Sequence, residues 1–197
     1  MFFNVVYAFA AVVVRFLFRL IFLVCVTGKE NIIKTGGFIL SGNHKSNFDP
    51  VMLAAFLPRK IGFLAKRELF KNKIFGGLLS GLGAVPITRG GSDVGTLKAV
   101  ISLIKSGKPI IVFPEGTRKH TDINEVKSGA VMFAVKGQVP IIPVLIVGEY
   151  KPFSRIRLIF GEPVYYSDYY GKKLSPDELH NLSVELMKKI YALSEDR

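Results

Sequence analysis

The chain has 197 residues, with 27 Lys and Arg against 15 Asp and Glu, for a formal net charge of +12. That length suits one domain able to bury most of its apolar surface, and the charge excess favours a polyanionic partner: nucleic acid, anionic lipid headgroups or an acidic protein. A mean hydropathy of +0.35 and the lack of any basic helix, zinc-ligand spacing or RNA-binding signature set nucleic acid aside, while a single cysteine, Cys25, excludes an intrachain disulfide and points to a reducing, cytoplasmic-side setting.

Met1 to Val26 is almost wholly apolar, interrupted by Asn4, Arg15 and Arg19. It has no basic n-region and carries its charges in the middle, so it does not read as a cleaved signal peptide. Arg15 and Arg19 stand four apart on one helical face. Two arginines near the centre of a spanning helix would each cost about 2.5 to 3.5 kcal/mol, whereas a helix lying in the interface could aim both at lipid phosphates and bury its other sides. Residues 1–27 are therefore expected to form a membrane-interfacial helix, and residues 28–197 the folded domain.

After Gly28, strands and helices alternate without a long linker, low-complexity tract or internal repeat. The first predicted strand is Phe38 to Ser41, and beyond it His44 and Asp49 stand five positions apart. On an unbroken α-helix, five residues turn through roughly 500°, which leaves the two side chains about 140° apart. Pro50 breaks that continuity: it suits a first helical turn, making Asp49 a natural N-cap and leaving His44 to Phe48 as a strand-to-helix loop. Such a loop can fold His44 back onto the carboxylate. An imidazole oriented through one ring nitrogen keeps the other free as an acceptor, which is what a general base for a hydroxyl needs.

A helix over Val51 to Leu57 and a strand over Ile61 to Ala65 follow, then a broken helical pattern from Lys66 to Leu82, a strand over Ala84 to Thr88 and a helix over Val94 to Lys105. Pro109 to Phe113 reads as a short buried strand from about Ile110, closed by Pro114 and Gly116, so Glu115 emerges from a strand end into a turn, where α/β folds place ligand groups. A helical pattern over Glu125 to Lys136, strands over Ile141 to Val147 and Arg155 to Phe160, and a capping box at Ser175 to Glu178 opening a last helix complete the chain. That helix is read as packing, with His180 exposed on it. The alternation predicts one α/β domain with a largely parallel, mixed-edge sheet flanked by helices, plus the apolar N-terminal helix.

Asn43-His44 with Asp49, and Phe113-Pro114-Glu115-Gly116-Thr117-Arg118, resemble the first and third motifs of the glycerophospholipid acyltransferase family. Gly83 to Arg89 looks like its second motif and Val139 to Val144 like its fourth, all four in the family's order. Two departures stand out: Lys119 follows the third block where a small residue is common, and the N-terminal region is short for the family's two-helix membrane element.

The resemblance implies an enzyme that moves a fatty acyl group from acyl-CoA or acyl-carrier protein to the free hydroxyl of lysophosphatidic acid, at the cytoplasmic face of the cell membrane and against anionic lipids. It implies His44 as base and Asp49 as its orienter, with no cofactor beyond the thioester co-substrate and no metal. Arg118 is assigned to the acceptor phosphate, with Arg89 and Lys66 as further cations; Gly116 and Thr117 belong to the same loop. Glu115 either binds an acceptor hydroxyl or orients that loop. Ser80, the serine in the glycine-rich stretch, lacks the nucleophile-elbow spacing, so direct attack without an acyl-enzyme is expected. A tetrahedral oxyanion would draw on backbone N–H groups near Asp49-Pro50 or the Gly116 turn. Acyl-chain length is not legible in the sequence, since the apolar tunnel that would measure it depends on packing among Phe56, Leu57, Leu78, Leu79 and others. A different lysolipid acceptor, or a non-catalytic basic lipid-binding protein of the same fold, is compatible with the same residues.

Overall fold

A computed structural model describes residues 2–81, 83–87, 94–116 and 122–194. Among them lies one sheet, in the order β1 (Leu23–Thr27), β7 (Arg155–Phe160), β6 (Ile141–Val147), β2 (Ile39–Gly42), β5 (Ile110–Ile111), β3 (Gly62–Lys66) and β4 (Ala84–Ile87). From β6 to β4 every neighbouring pair is parallel. β7 runs antiparallel to β6, and β1 runs parallel to β7. The expected α/β class with a mixed edge is thus what the chain forms.

Helices cover both faces, because alternate side chains of a central strand need cover on both sides. In β2, Ile39 enters one core with Val100 and Ile104 of α4 (Val94–Lys105), Ala134 of α5 (Gly129–Gly137) and Leu186 of α6 (Pro176–Ala192). Its neighbours Phe38 and Leu40 enter the other, with Phe18 of α1 (Phe2–Ile21) and Met52, Leu53 and Phe56 of α2 (Asp49–Phe56). The broken pattern after β3 resolves into a 3-10 turn, Arg67–Phe70, and α3 (Lys73–Gly81). The Ser175–Glu178 capping box opens α6 as its sequence predicts.

Residues 1–27, expected as one interfacial helix, divide in the structure. The helix ends at Ile21, and Leu23–Thr27 becomes the edge strand β1, pairing along β7 with Leu23 N–H donating to Ser154 O at 2.9 Å. No glycine or proline marks the change, so an apolar helix and an apolar strand read as one run; the open edge of β7 decides the matter. The helix α5 begins at Gly129, four residues later than expected, because Val126 is extended and Lys127 N–H donates to Pro114 O at 2.7 Å.

The orientation of α1 corrects a second expectation. Arg15 faces the protein, not lipid phosphates, while Arg19 stays exposed beside the Phe56 ring. Arg15 Nε donates to Ala55 O at 2.7 Å, both guanidinium groups lie over the Phe56 ring at 5.9 and 5.7 Å, and Tyr7 OH donates to Ala54 O at 3.4 Å. Ala54 and Ala55 lie in the last turn of α2, whose carbonyls lack helical donors and carry the negative end of the helix dipole. Tyr7 and Arg15 share the protein-facing side of α1 with Val14 and Phe18, and Phe9, Val12, Phe16 and Leu20, 61 to 71% exposed, point outward. Among the described residues no helix is long and apolar enough to cross a membrane.

Candidate active site

The carboxyl ends of β2, β3, β4, β5 and β6 share one edge of the sheet, the place where parallel α/β folds collect functional groups. β2 reaches that edge on Gly42, where an added Cβ would stand 2.5 Å from Val144 O. Next, the buried Asn43 side chain continues the ladder in place of backbone: Nδ2 donates to Ile146 O at 3.0 Å, and Ile146 N–H donates to Asn43 Oδ1 at 2.8 Å. The loop carrying His44 is therefore anchored to β6 on its first residue.

His44 Nδ1 lies 2.8 Å from Asp49 Oδ2. A carboxylate only accepts, so Nδ1 carries the hydrogen and the neutral ring presents Nε2 as a lone pair. Asp49 is fully buried, while the His44 side chain keeps 17% exposure. The ring stacks on Phe113, centroids 4.1 Å apart and planes at 12°. The two side chains are held on opposite terms: the carboxylate is sealed in, and the imidazole reaches the surface.

Asp49 does not cap α2, contrary to expectation. Phe48 occupies the cap position and no side chain caps the helix. Instead Oδ2 also accepts Lys45 N–H at 2.6 Å and Ser46 N–H at 2.7 Å, closing the loop around the carboxylate, and Oδ1 accepts Tyr150 OH at 2.6 Å. Burial, then the charge of Asp49 and the hydrogen bond to it, push the Tyr150 phenol well above its ordinary pKa, so the hydroxyl is a committed donor. Tyr150→Phe should leave a wholly buried carboxylate oxygen without this donor. We expect the folded state to lose about 1 to 3 kcal/mol, read as a lower urea midpoint at unchanged slope; an unmoved midpoint would discount the bond.

Glu115 joins the first and third motifs. It is buried, and Oε2 accepts His44 N–H at 3.0 Å while Oε1 accepts Tyr191 OH at 2.9 Å. The Tyr191 pKa is pushed up to about 12 by burial first and by Glu115 second. One residue of α6, read as packing alone, thus reaches the site. Gly116 has φ +61 and its N–H donates to Phe113 O at 3.2 Å, so that amide is already used by the turn and is no free oxyanion donor.

Lys66 ends β3, exposed, two strands from β2 and so roughly 10 Å across the sheet. Arg89, Thr117, Arg118 and His120 lie outside the described residues. His180 is half-buried on α6, where an exposed position is expected, and Ser80 Oγ donates to Gly76 O within its own helix at 2.8 Å. Tyr150 and Tyr191 carry no motif; the only sequence signal for Tyr150 is its place just past the end of β6, at the functional edge.

Two cavities bear on the chemistry in different degrees. An apolar one of about 110 Å³ lies between α1 and α2, lined by Tyr7, Ala11, Val14, Pro50, Val51 and Phe63 among others, and begins one residue after Asp49. Phe56 and Leu57 are sealed in the core and line neither of the two cavities. A larger groove of about 680 Å³ opens between the ends of β1 and β7 and α6, at the opposite edge of the sheet. His44 lines neither cavity, but Pro50, next to Asp49, lines the smaller one, so the dyad and not the larger groove is the better site.

Comparison with known proteins agrees with this geometry. The Acyltransferase family model matches residues 23–147. A 1-acyl-sn-glycerol-3-phosphate acyltransferase of Bacillus subtilis is 34% identical over 150 residues, 73% of this chain and 75% of the relative. One of Streptococcus pneumoniae is 33% identical over 166 residues, 81% of this chain and 61% of the relative. The crystal structure of the 1-acyl-sn-glycerophosphate (LPA) acyltransferase PlsC from Thermotoga maritima superposes with a TM-score of 0.66 at 31% identity, covering 88% of this chain and 73% of that one. With β1 through β6 inside the matched span and the His44–Asp49 pair at its functional edge, the chain belongs to the acyltransferase family.

Proposed function

We propose that this protein transfers a fatty acyl group from a thioester donor, acyl-CoA or acyl-carrier protein, to the free hydroxyl of lysophosphatidic acid, giving phosphatidic acid. The observation that carries the reading is the 2.8 Å contact from His44 Nδ1 to the buried Asp49, with the ring still reaching the surface. Nε2 takes the hydroxyl proton as the acceptor oxygen bonds to the thioester carbonyl carbon. The carbon–sulfur bond then breaks and the same proton goes to the departing thiolate. No acyl-enzyme is formed, and no cofactor takes part beyond the thioester.

The first turn of α2, beside His44, is the source of positive potential for the carbonyl oxygen as it gains charge. Arg118, through its motif, holds the acceptor phosphate, with Arg89 and Lys66 as supporting cations. Glu115, both of whose oxygens are engaged within the protein, serves this reading as the brace of the Arg118 loop. The acyl chain runs toward the apolar cavity between α1 and α2.

The outward apolar face of α1 attaches the protein to the cytoplasmic leaflet without spanning it, and the +12 charge favours anionic lipids there. A panel of acceptors tests the substrate. Lysophosphatidic acid should be acylated, and an otherwise matched acceptor without the phosphate should react about tenfold slower or worse, the worth of one charge-assisted contact. Equal rates across the panel would remove the phosphate from recognition and favour another lysolipid.

A further inference from the structure

The hairpin between β6 and β7 carries an aromatic that the dyad does not use. Phe153 is 79% exposed and has φ +61, a left-handed backbone that disfavours a side chain of this size. Its N–H donates to the carbonyl of Ile21, the last residue of α1, at 2.6 Å. Leu20 and Ile21 belong to the outward apolar face of α1, and Leu23 just beyond is exposed as well. Phe153 therefore extends that face onto a second element of the chain.

Charge surrounds the base of the hairpin. Lys45 Nζ donates to Gly148 O at 2.8 Å, Lys151 and Arg155 are exposed, and Glu149 pairs with Lys151 at 2.6 Å. Three exposed cations stand against one exposed carboxylate beneath an aromatic tip, with the Asp49 carboxylate buried below. That arrangement suits the boundary of an anionic bilayer, where rings enter the acyl region and basic heads meet phosphates.

We propose that the β6–β7 hairpin is a second membrane contact, with Phe153 seated at the boundary of headgroups and acyl chains beside α1. The inference rests on the attachment through α1 put forward above and adds an element to it. It also links the bilayer to the chemistry, because Tyr150, bonded to Asp49, lies three residues before Phe153, at most about 11 Å of chain. Phe22, just before β1, packs edge-on against the Tyr150 ring at 5.7 Å. The hairpin thus sets the height of the dyad above the leaflet, where a lysolipid hydroxyl can reach His44 with its acyl chain still in the membrane.

The chain has no tryptophan, so Phe153→Trp in the full-length protein introduces a single reporter. On binding to equimolar phosphatidylglycerol and phosphatidylcholine vesicles its emission should shift to the blue and be quenched by bromine on the upper acyl-chain carbons. Phe153→Gly, which suits the left-handed backbone and so keeps the fold, should co-sediment with the same vesicles about tenfold less strongly. If Phe153→Trp co-sediments while its emission stays that of a water-exposed ring, the hairpin contact is overturned and attachment through α1 stands. If the unaltered protein does not co-sediment at all, both fall. A blue shift without vesicles that grows with protein concentration would place a second copy on this face and overturn the proposal.

Discussion

Replacing His44 with alanine should lower phosphatidic acid formation by about 10² to 10⁴-fold, the usual worth of a positioned general base. Nδ1 is occupied by Asp49 and the ring lies flat on Phe113, so Nε2 is the one ring nitrogen left to meet a substrate hydroxyl. The proton moves as the new ester bond forms, and the loss should therefore fall on kcat with the acceptor KM little changed. The fold should survive, because the loop is held by other contacts: Asn43 to Ile146, and the Lys45 and Ser46 amides to Asp49. Initial rates in mixed micelles, beside a circular dichroism spectrum matching the parent protein, decide the matter. A variant that keeps the parent rate would take His44 out of the mechanism.

The same loop marks how far sequence reasoning reaches. The bend between His44 and Asp49 is legible because Pro50 forbids a helix running through it and because the apolar run before His44 is a strand. The role of the carboxylate is legible only in part. An Asp before Pro reads as a cap, yet this one turns back into the loop, since two amides, an imidazole and a phenol offer it more than one helix start could. Tyr150 stands 101 residues from Asp49 and Tyr191 stands 76 from Glu115. Such partners have no periodicity or spacing to betray them.

The N-terminal segment fails in the opposite direction. Arg15 and Arg19 on an apolar helix read as lipid-facing because the groups they serve, the Ala55 carbonyl and the Phe56 ring, lie about 40 residues on and are apolar residues by name. A carbonyl freed by a helix end is a strong acceptor whatever the side chain above it. Arg15 is spent on the protein in this way, while Arg19 keeps its exposure next to Leu20.

Asp49→Asn tests whether the acid acts by charge or by orientation. The Lys45 and Ser46 amides and His44 Nδ1 all donate toward one oxygen, so the asparagine carbonyl will take that side. Its amide nitrogen then faces Tyr150, whose hydroxyl can turn to accept. The imidazole keeps its tautomer and its place, and what disappears is the negative charge beside the imidazolium formed during attack. Because a hydrogen bond to a charged group is worth about 1.5 to 3 kcal/mol against about half that for a neutral one, the rate should fall by up to about tenfold. That is a smaller loss than for His44→Ala, with the urea midpoint close to that of the parent. A rate equal to the parent would mean that the charge of Asp49 is not felt at the reacting oxygen, and a collapse of the midpoint would mean that the amide cannot replace the carboxylate at the centre of the loop.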